Sequence, residues 1–272
     1  MDRHKRSLRS RGEHGAASSV SGIPALNCAE HACFLDVDGT LLELAGSPGG
    51  VRVDPSLIQW LEQLASATGG ALALISGRPI ADIDRLFFPL RLPAAGLHGL
   101  ELRDASGSVR WTAPLSSDIP RLLALAREWA SSRPGLLVED KSGTFAVHYR
   151  NAPRLGGEVR SFMNDLLRQS GGNYCLQPGK MVAEIKPKGR DKGTAIEAFM
   201  DAPPFAGRKP VFVGDDATDE QAFPAVEALG GIAIKVGAGA TSARWRLKDV
   251  SAVRAWLVRS IALCAETGNL RA

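Results

Sequence analysis

Phe34-Leu35-Asp36-Val37-Asp38-Gly39-Thr40-Leu41-Leu42 is the stretch on which the reading of this chain turns. The apolar run leading into it, Ala32 to Leu35, has the length and bounds of a buried strand. Two carboxylates follow at its carboxyl end, then a glycine. Asp36 and Asp38 are two apart, so in extended backbone they share a face. Like charges at one buried edge repel, so one of them holds a proton or a cation joins them. In an open α/β sheet that edge is where ligands bind. Gly39 lets the backbone turn close to a ligand, and Thr40 offers a hydroxyl. A solvated Asp-Gly turn after a strand would also account for these residues, so the rest of the chain has to choose.

Working outward, a Gly/Pro-rich loop covers Ala45 to Val53, and Asp54-Pro55 is a helix start. Leu57, Ile58, Leu61, Leu64 and Ala65 recur at helical spacing until Thr68-Gly69-Gly70. Ala71 to Ile75 is a second apolar strand, ending in Ser76-Gly77-Arg78-Pro79. Strand, helix, strand predicts parallel pairing with a right-handed crossover. Ser76 then falls at the same sheet edge as Asp36. Its hydroxyl and nearby N–H groups could hold a phosphoryl oxygen, or Ser76-Gly77 could cap the next helix, whose Ile80, Ile83, Leu86 and Phe87 share a face. Gly96-Leu97-His98-Gly99 places a histidine between glycines, as a ligand contact or as a structural residue. Asp104 to Gly107 reads as a hairpin turn, with Val109 to Trp111 returning.

From about Ala113 the rhythm changes. A helix over Ile119–Ser131 precedes strands at Leu136–Glu139 and Thr144–Arg150, and a helix near Leu155–Gln169 precedes strands at Tyr174–Gln177 and Met181–Ile185. Hairpins backed by helices suit a small α+β layer. The parallel rhythm then resumes with a helix at Lys192–Met200, a strand at Pro210–Val213, a helix at Glu220–Leu229, a strand at Gly231–Val236 and a last helix opened by Ser251. The expected fold is α/β: a parallel-sheet core over 28–112 and 187–272, with an α+β cap inserted at 113–186. Gly237-Ala238-Gly239 is a poor dinucleotide loop, because Ser242 stands at the third glycine position.

Composition sets the frame. The chain has 272 residues and a formal net charge of +4. Arg3, His4, Lys5, Arg6, Arg9 and Arg11 crowd the start, and residues 1–27 read as a disordered basic tail, solvated rather than bound to nucleic acid or membrane. No bilayer-length apolar run and no signal-type stretch occur, so a cytoplasmic protein is expected, as a monomer. Cys28, Cys33, Cys175 and Cys264 lack metal-type spacing and read as reduced structural thiols.

The strand ends supply Asp36 and Asp38, Ser76, Lys192 at a helix start, and Asp215 with Asp216 and Asp219. Oxygen ligands without a Cys/His cluster favour Mg²⁺, which shares carboxylates with a substrate phosphate. Such a site suits phosphoryl transfer through an aspartyl-phosphate. Asp-x-Asp-x-Thr followed by Ser76, Lys192 and the Asp215 cluster resembles the haloacid dehalogenase-like phosphatase superfamily. That resemblance implies Asp36 as nucleophile and Asp38 as acid, then base. Lys192 and Ser76 hold phosphoryl oxygens. Asp36, the Asp38 carbonyl and Asp215 bind the metal, and Asp216 and Asp219 orient its ligands.

The likeness narrows. Leu97-His98-Gly99-Leu100-Glu101, Glu139-Asp140-Lys141, Val147-His148-Tyr149-Arg150, Gly179 to Ile185 and Gly214 to Glu220 together resemble the trehalose-6-phosphate phosphatase family, from about Cys33 to Leu257. The resemblance implies a Rossmann-like, haloacid dehalogenase-like core with a mobile cap, Mg²⁺ dependence, and trehalose 6-phosphate as the small-molecule substrate. It also implies that Glu139, Lys141 and Glu184 grip sugar hydroxyls, beside Asp36, Val37, Asp38, Gly77, Arg78 and His98. Read without the family, those three cap residues suit a salt-bridged hairpin surface. Val37 departs from the larger residue frequent between the two acids.

Overall fold

The computed structural model describes residues 22–44, 52–113 and 118–269. The basic start of the chain, 1–21, and most of the Gly/Pro-rich loop, 45–51, lie outside the described residues. The core opens with β1 (His31–Asp36), α1 (Pro55–Ala67), β2 (Leu72–Ile75), α2 (Ile80–Phe87), β3 (Ala94–Gly96), β4 (Glu101–Arg103) and β5 (Val109–Trp111). It resumes with α5 (Lys192–Met200), β10 (Lys209–Gly214), α6 (Ala217–Glu220), α7 (Phe223–Ala228), β11 (Ile232–Val236), β12 (Trp245–Leu247) and α8 (Val250–Asn269). Between them lie α3 (Asp118–Ser131), β6 (Leu137–Asp140), β7 (Phe145–His148), α4 (Gly156–Arg168), β8 (Tyr174–Gly179) and β9 (Val182–Pro187). The eight-stranded core sheet runs β12-β11-β10-β1-β2-β3-β4-β5, and the cap sheet β6-β7-β9-β8.

β1 sits mid-sheet, parallel to β10 on one side and β2 on the other. The carboxyl ends of these three strands therefore share an edge. Both faces of β1 are covered, which is why its apolar run is continuous rather than alternating. Cys33 and Leu35 face α1, α2 and α8, while Ala32 and Phe34 face α5 and α7. Asp36 keeps the parity of Phe34, so the pleat aims it toward the side on which α5 begins. On that side Phe34, Phe199 and Phe205 cluster at centroid separations of 5.0–5.9 Å. Asp54 caps α1 by accepting the Ser56 N–H at 2.9 Å. α1 buries Leu57, Leu61 and Leu64, each stabilising the fold by roughly 1.5–3 kcal/mol.

The cap sheet is antiparallel throughout. One face packs Phe145, Val147, Ala183 and Ile185 against α3 and α4. By the two-residue period, the other face presents Glu139, His148, Glu184 and Gln177 to the cleft over the core.

Some sequence expectations differ from the structure. The helix expected over Glu220–Leu229 is shorter and preceded by another: α6 ends at Glu220, and α7 starts afresh at Phe223, with Pro224, which lacks an N–H, in its first turn. The short strands β3 and β12 had no apolar signature of their own. Cys28 and Cys264 are not free thiols. They form a disulfide across 236 residues, with Cα atoms 5.7 Å apart, a pairing that spacing cannot reveal. Cys33 and Cys175 are free. The stretch before Cys28, assigned to the tail, lies against α8: Trp256 Nε1 donates to Pro24 O at 2.9 Å, and Ile23 and Leu26 are buried.

Candidate active site

The site grows from three loops at one sheet edge. After β1 the chain turns tightly, with Gly39 N donating to Leu42 O at 2.7 Å. Gly39 has φ +85°, and a Cβ there would stand 2.3 Å from Asp215 Oδ2. Only glycine lets the β1 and β10 loops approach so closely. The β10 loop is held by Asp219, whose Oδ2 accepts from the Asp215 and Asp216 N–H groups, each at 2.9 Å. Asp216 in turn caps α6 by accepting from Thr218 N at 2.7 Å.

Lys192, the first residue of α5, enters from below the edge. Its Nζ donates to Asp36 Oδ1 at 2.7 Å and to Asp219 Oδ1 at 2.6 Å. All three side chains are nearly sealed from water. Burial pushes the Asp36 carboxyl up to about 7, with Lys192 opposing and Asp215 adding to the rise. Burial likewise raises Asp219 to about 8 and Asp215 to about 6, each aided by neighbouring carboxylates. Burial works against charge on Lys192 too, but Asp219 and Asp36 outweigh it and hold the ammonium charged. Even with the buried Lys235 donating to the Asp215 carbonyl, base does not balance this much acid, and the surplus is the electrostatic signature of a cation site.

The donors fit a divalent ion. Asp36, Asp215 and Asp219 each place a carboxylate oxygen within 4.8 Å of the others. Both Asp219 oxygens are already bonded, so Asp219 positions the loop rather than facing an ion. Asp36 Oδ2, by contrast, is buried and finds no hydrogen-bond partner among the described residues. An orphaned carboxylate oxygen beside Asp215, in an all-oxygen set, fits Mg²⁺ better than a thiophilic metal.

Beside this cluster, Arg78 grips Asp38 with a fork: Nε to Oδ2 at 2.5 Å and Nη2 to Oδ1 at 2.6 Å. Ser76 Oγ accepts from Arg78 N at 3.1 Å and so shapes the loop that delivers the guanidinium. His98 lies across Gly77, where a Cβ would come within 2.7 Å of the imidazole. Its backbone is left-handed (φ 55°), as is that of Leu97 (φ 51°). Burial drives the His98 pKa down to about 3, so the ring is neutral, and its Nε2 stands 3.9 Å from Glu184 Oε2 of the cap.

On the cap, Glu139, Ala146, Glu184 and Gln177 form one cross-strand row. Ala146 leaves room between the two glutamates. Lys141 Nζ donates to Glu184 Oε2 at 2.7 Å, and Thr144 Oγ1 to Oε1 at 3.0 Å. His148 Nε2 and Glu139 Oε2 are 2.7 Å apart, and that bond holds Glu139 below its usual carboxylate range.

A cavity of about 360 Å³ joins the two layers. Its wall includes Asp36, Asp38, Ser76, Gly77, Arg78, His98, Lys192, Asp215 and Asp216 from the core, with Glu139, Lys141 and Glu184 from the cap. Val37 and Asp219 are fully buried behind this wall. Gln177, His148, Arg150, Asn151 and Lys180 also line the cavity and were given no role from sequence. Strand register is the signal that finds Gln177, since it pairs with Glu184.

Comparison with known proteins agrees with this geometry. Residues 34–251 match the trehalose-phosphatase family. The chain is 44% identical over 230 residues to the trehalose-6-phosphate phosphatase of Escherichia coli K12, covering 84% of this chain and 86% of that protein. It is 46% identical over 206 residues to a probable trehalose-phosphate phosphatase of Sinorhizobium fredii, covering 76% and 77%. A solved trehalose-6-phosphate phosphatase related protein superposes with TM-score 0.75 at 27% identity, over 86% of this chain and 99% of that one. The C-terminal domain of the Candida albicans trehalose-6-phosphate phosphatase shares the fold, with TM-score 0.75 at 20% identity, over 88% and 98%. The core is thus haloacid dehalogenase-like, and the chain belongs to the trehalose-phosphatase family of phosphoric monoester hydrolases.

Proposed function

We propose that this chain hydrolyses trehalose 6-phosphate to trehalose and inorganic phosphate, the last step of trehalose biosynthesis, with Mg²⁺ bound and through an aspartyl-phosphate on Asp36. One observation carries the reading. Asp36, whose buried Oδ2 has no partner among the described residues, lines the same cavity as the polar row of the cap, so a phosphoryl group and a sugar could be held at once. The volume, about 360 Å³, suits a small ligand that is mostly enclosed.

In this mechanism Asp36 Oδ2 attacks phosphorus, and the bond from phosphorus to the sugar oxygen breaks. Asp38 gives that oxygen its proton. The Arg78 fork occupies both Asp38 oxygens, so Asp38 must leave the fork and take up a proton from water before it can donate one, and an arriving phosphate competes for the same guanidinium. Asp38 then takes a proton from water, whose oxygen attacks phosphorus and frees Asp36. Lys192 holds Asp36 in place and neutralises charge beside the phosphoryl oxygens. Ser76 and the neighbouring N–H groups bind the same oxygens. Asp36, Asp215 and the Asp38 carbonyl would hold a divalent ion, which when bound would supply further positive charge beside the phosphoryl oxygens.

Glu139, Lys141 and Glu184, with Gly77, Arg78 and His98 beneath, form the sugar-facing wall, while Val37, buried behind it, does not reach the sugar. Polar groups that lose their partners when a hydroxyl is missing discriminate strongly against that analogue. Among the described residues no helix is long and apolar enough to cross a membrane. A monomer acting on a free sugar phosphate in the cytoplasm is the setting proposed. The test is phosphate release from trehalose 6-phosphate, sucrose 6-phosphate and hexose phosphates, with and without EDTA. Preference for trehalose 6-phosphate and loss with EDTA are expected, whereas preference for a monosaccharide phosphate would overturn the substrate.

A further inference from the structure

A single lysine links the cap to the acid cluster. Lys180 occupies the turn between β8 and β9, and its Nζ stands 3.5 Å from Asp215 Oδ2. The two sides of this contact differ. The Asp215 side chain is 10% exposed and packed against Gly39, while that of Lys180 is 65% exposed and reaches down from above. The strands joined by this turn carry Gln177 and Glu184, which are paired in register. Wherever Lys180 docks, those two polar groups follow.

The charge beneath Lys180 changes during the proposed reaction. Four carboxylates, Asp36, Asp215, Asp216 and Asp219, face two buried ammonium groups, Lys192 and Lys235, the latter donating to the Asp215 carbonyl. That surplus attracts Lys180. A divalent ion on Asp215 would offset the remaining two charges and take the carboxylate that Lys180 contacts, so the pull on Lys180 would be lost, and a dianionic phosphate ester would restore the negative field. Because Lys180 is largely solvated, its contact is weak, which suits a link broken and remade at every turnover.

We propose that Lys180 is a positioning residue. In this account its ammonium docks the β8–β9 hairpin on the core when a phosphate is present and yields when a divalent ion alone occupies the acids, so that Glu184 and Gln177 are seated over the sugar only once substrate has arrived. The inference rests on the function proposed above. It adds a sensing role to a residue that touches neither the transferred phosphorus nor the sugar in that mechanism.

The test compares wild type with Lys180→Gln and Lys180→Arg. Steady-state kinetics are read on trehalose 6-phosphate and on p-nitrophenyl phosphate, which has no sugar to seat. Mg²⁺ affinity is read by calorimetry on the substrate-free protein. Lys180→Gln should lose about tenfold in kcat/KM on trehalose 6-phosphate, mainly through KM, and change little on p-nitrophenyl phosphate. Lys180→Arg should recover most of the loss. With its competitor removed, Mg²⁺ should bind several-fold tighter to Lys180→Gln. Equal losses on both esters, no loss on either, or unchanged Mg²⁺ affinity would overturn the proposal. Wild type that releases no phosphate from trehalose 6-phosphate would defeat the proposed substrate instead, and the metal titration would still test the latch.

Discussion

The core acids and the cap's polar row meet across one cavity but solve opposite problems. In the core, acid outnumbers base: Asp36, Asp215, Asp216 and Asp219 face two buried ammonium groups, Lys192 and Lys235, and an Asp36 oxygen has no partner among the described residues. On the cap, charges are matched: Glu184 is bonded by Lys141 and Thr144, and Glu139 by His148. The core keeps an electrostatic deficit that a cation and a phosphoryl group can fill. The cap keeps satisfied pairs that re-form around hydroxyls. Chemistry and recognition are therefore built with different electrostatics, and each should fail in its own way.

The largest expected effect is in the core. Asp36→Asn removes the attacking oxygen's charge while keeping its shape. It should lower kcat by about 10⁴-fold or more on every phosphate ester, with an unchanged circular dichroism spectrum. Wild-type kcat in this variant would remove the core's claim to the chemistry. On the cap, Glu184→Ala should cost about 10²-fold in kcat/KM on trehalose 6-phosphate and far less on p-nitrophenyl phosphate. Equal losses on the two substrates would erase the division between regions.

Two smaller effects concern stability. Cys28→Ser, or a reductant, opens the bond that ties residue 28 to α8 and should cost about 2–4 kcal/mol, without altering kcat/KM. An unchanged melting temperature would deny the bond a structural part. The smallest effect is the pH response of the metal-free protein. Asp36, Asp215 and Asp219 titrate above their usual range in the fold, at about 7, 6 and 8. Between pH 4 and 8 the native state then holds protons that the unfolded chain has released. These groups should lower stability as pH rises through that window, by a few degrees in melting temperature. Mg²⁺ binds the ionised carboxylates and should flatten the slope. The same slope with and without Mg²⁺ would argue against an ion on these acids.

Much of the core was legible because apolar runs ending in small or acidic residues mark parallel strands, and Asp54-Pro55 and Asp191-Lys192 mark helix starts. The three-residue strands β3 and β12 were not, since pairing alone defines them. The acid cluster was readable as separate strand ends, but its imbalance against Lys192 and Lys235 needed distances. The Arg78 grip on Asp38 spans 40 residues and leaves no local signature. On the cap the hairpins were clear, yet Gln177 entered the site only through its register with Glu184.

The most direct test of the account is to mix the protein with trehalose 6-phosphate and Mg²⁺, quench in acid within one turnover, and map phosphate by mass spectrometry. The account predicts a phosphoryl group on the peptide bearing Asp36, absent from Asp36→Asn. Turnover that leaves Asp36 unmodified at every quench time, or labels another residue, would contradict it.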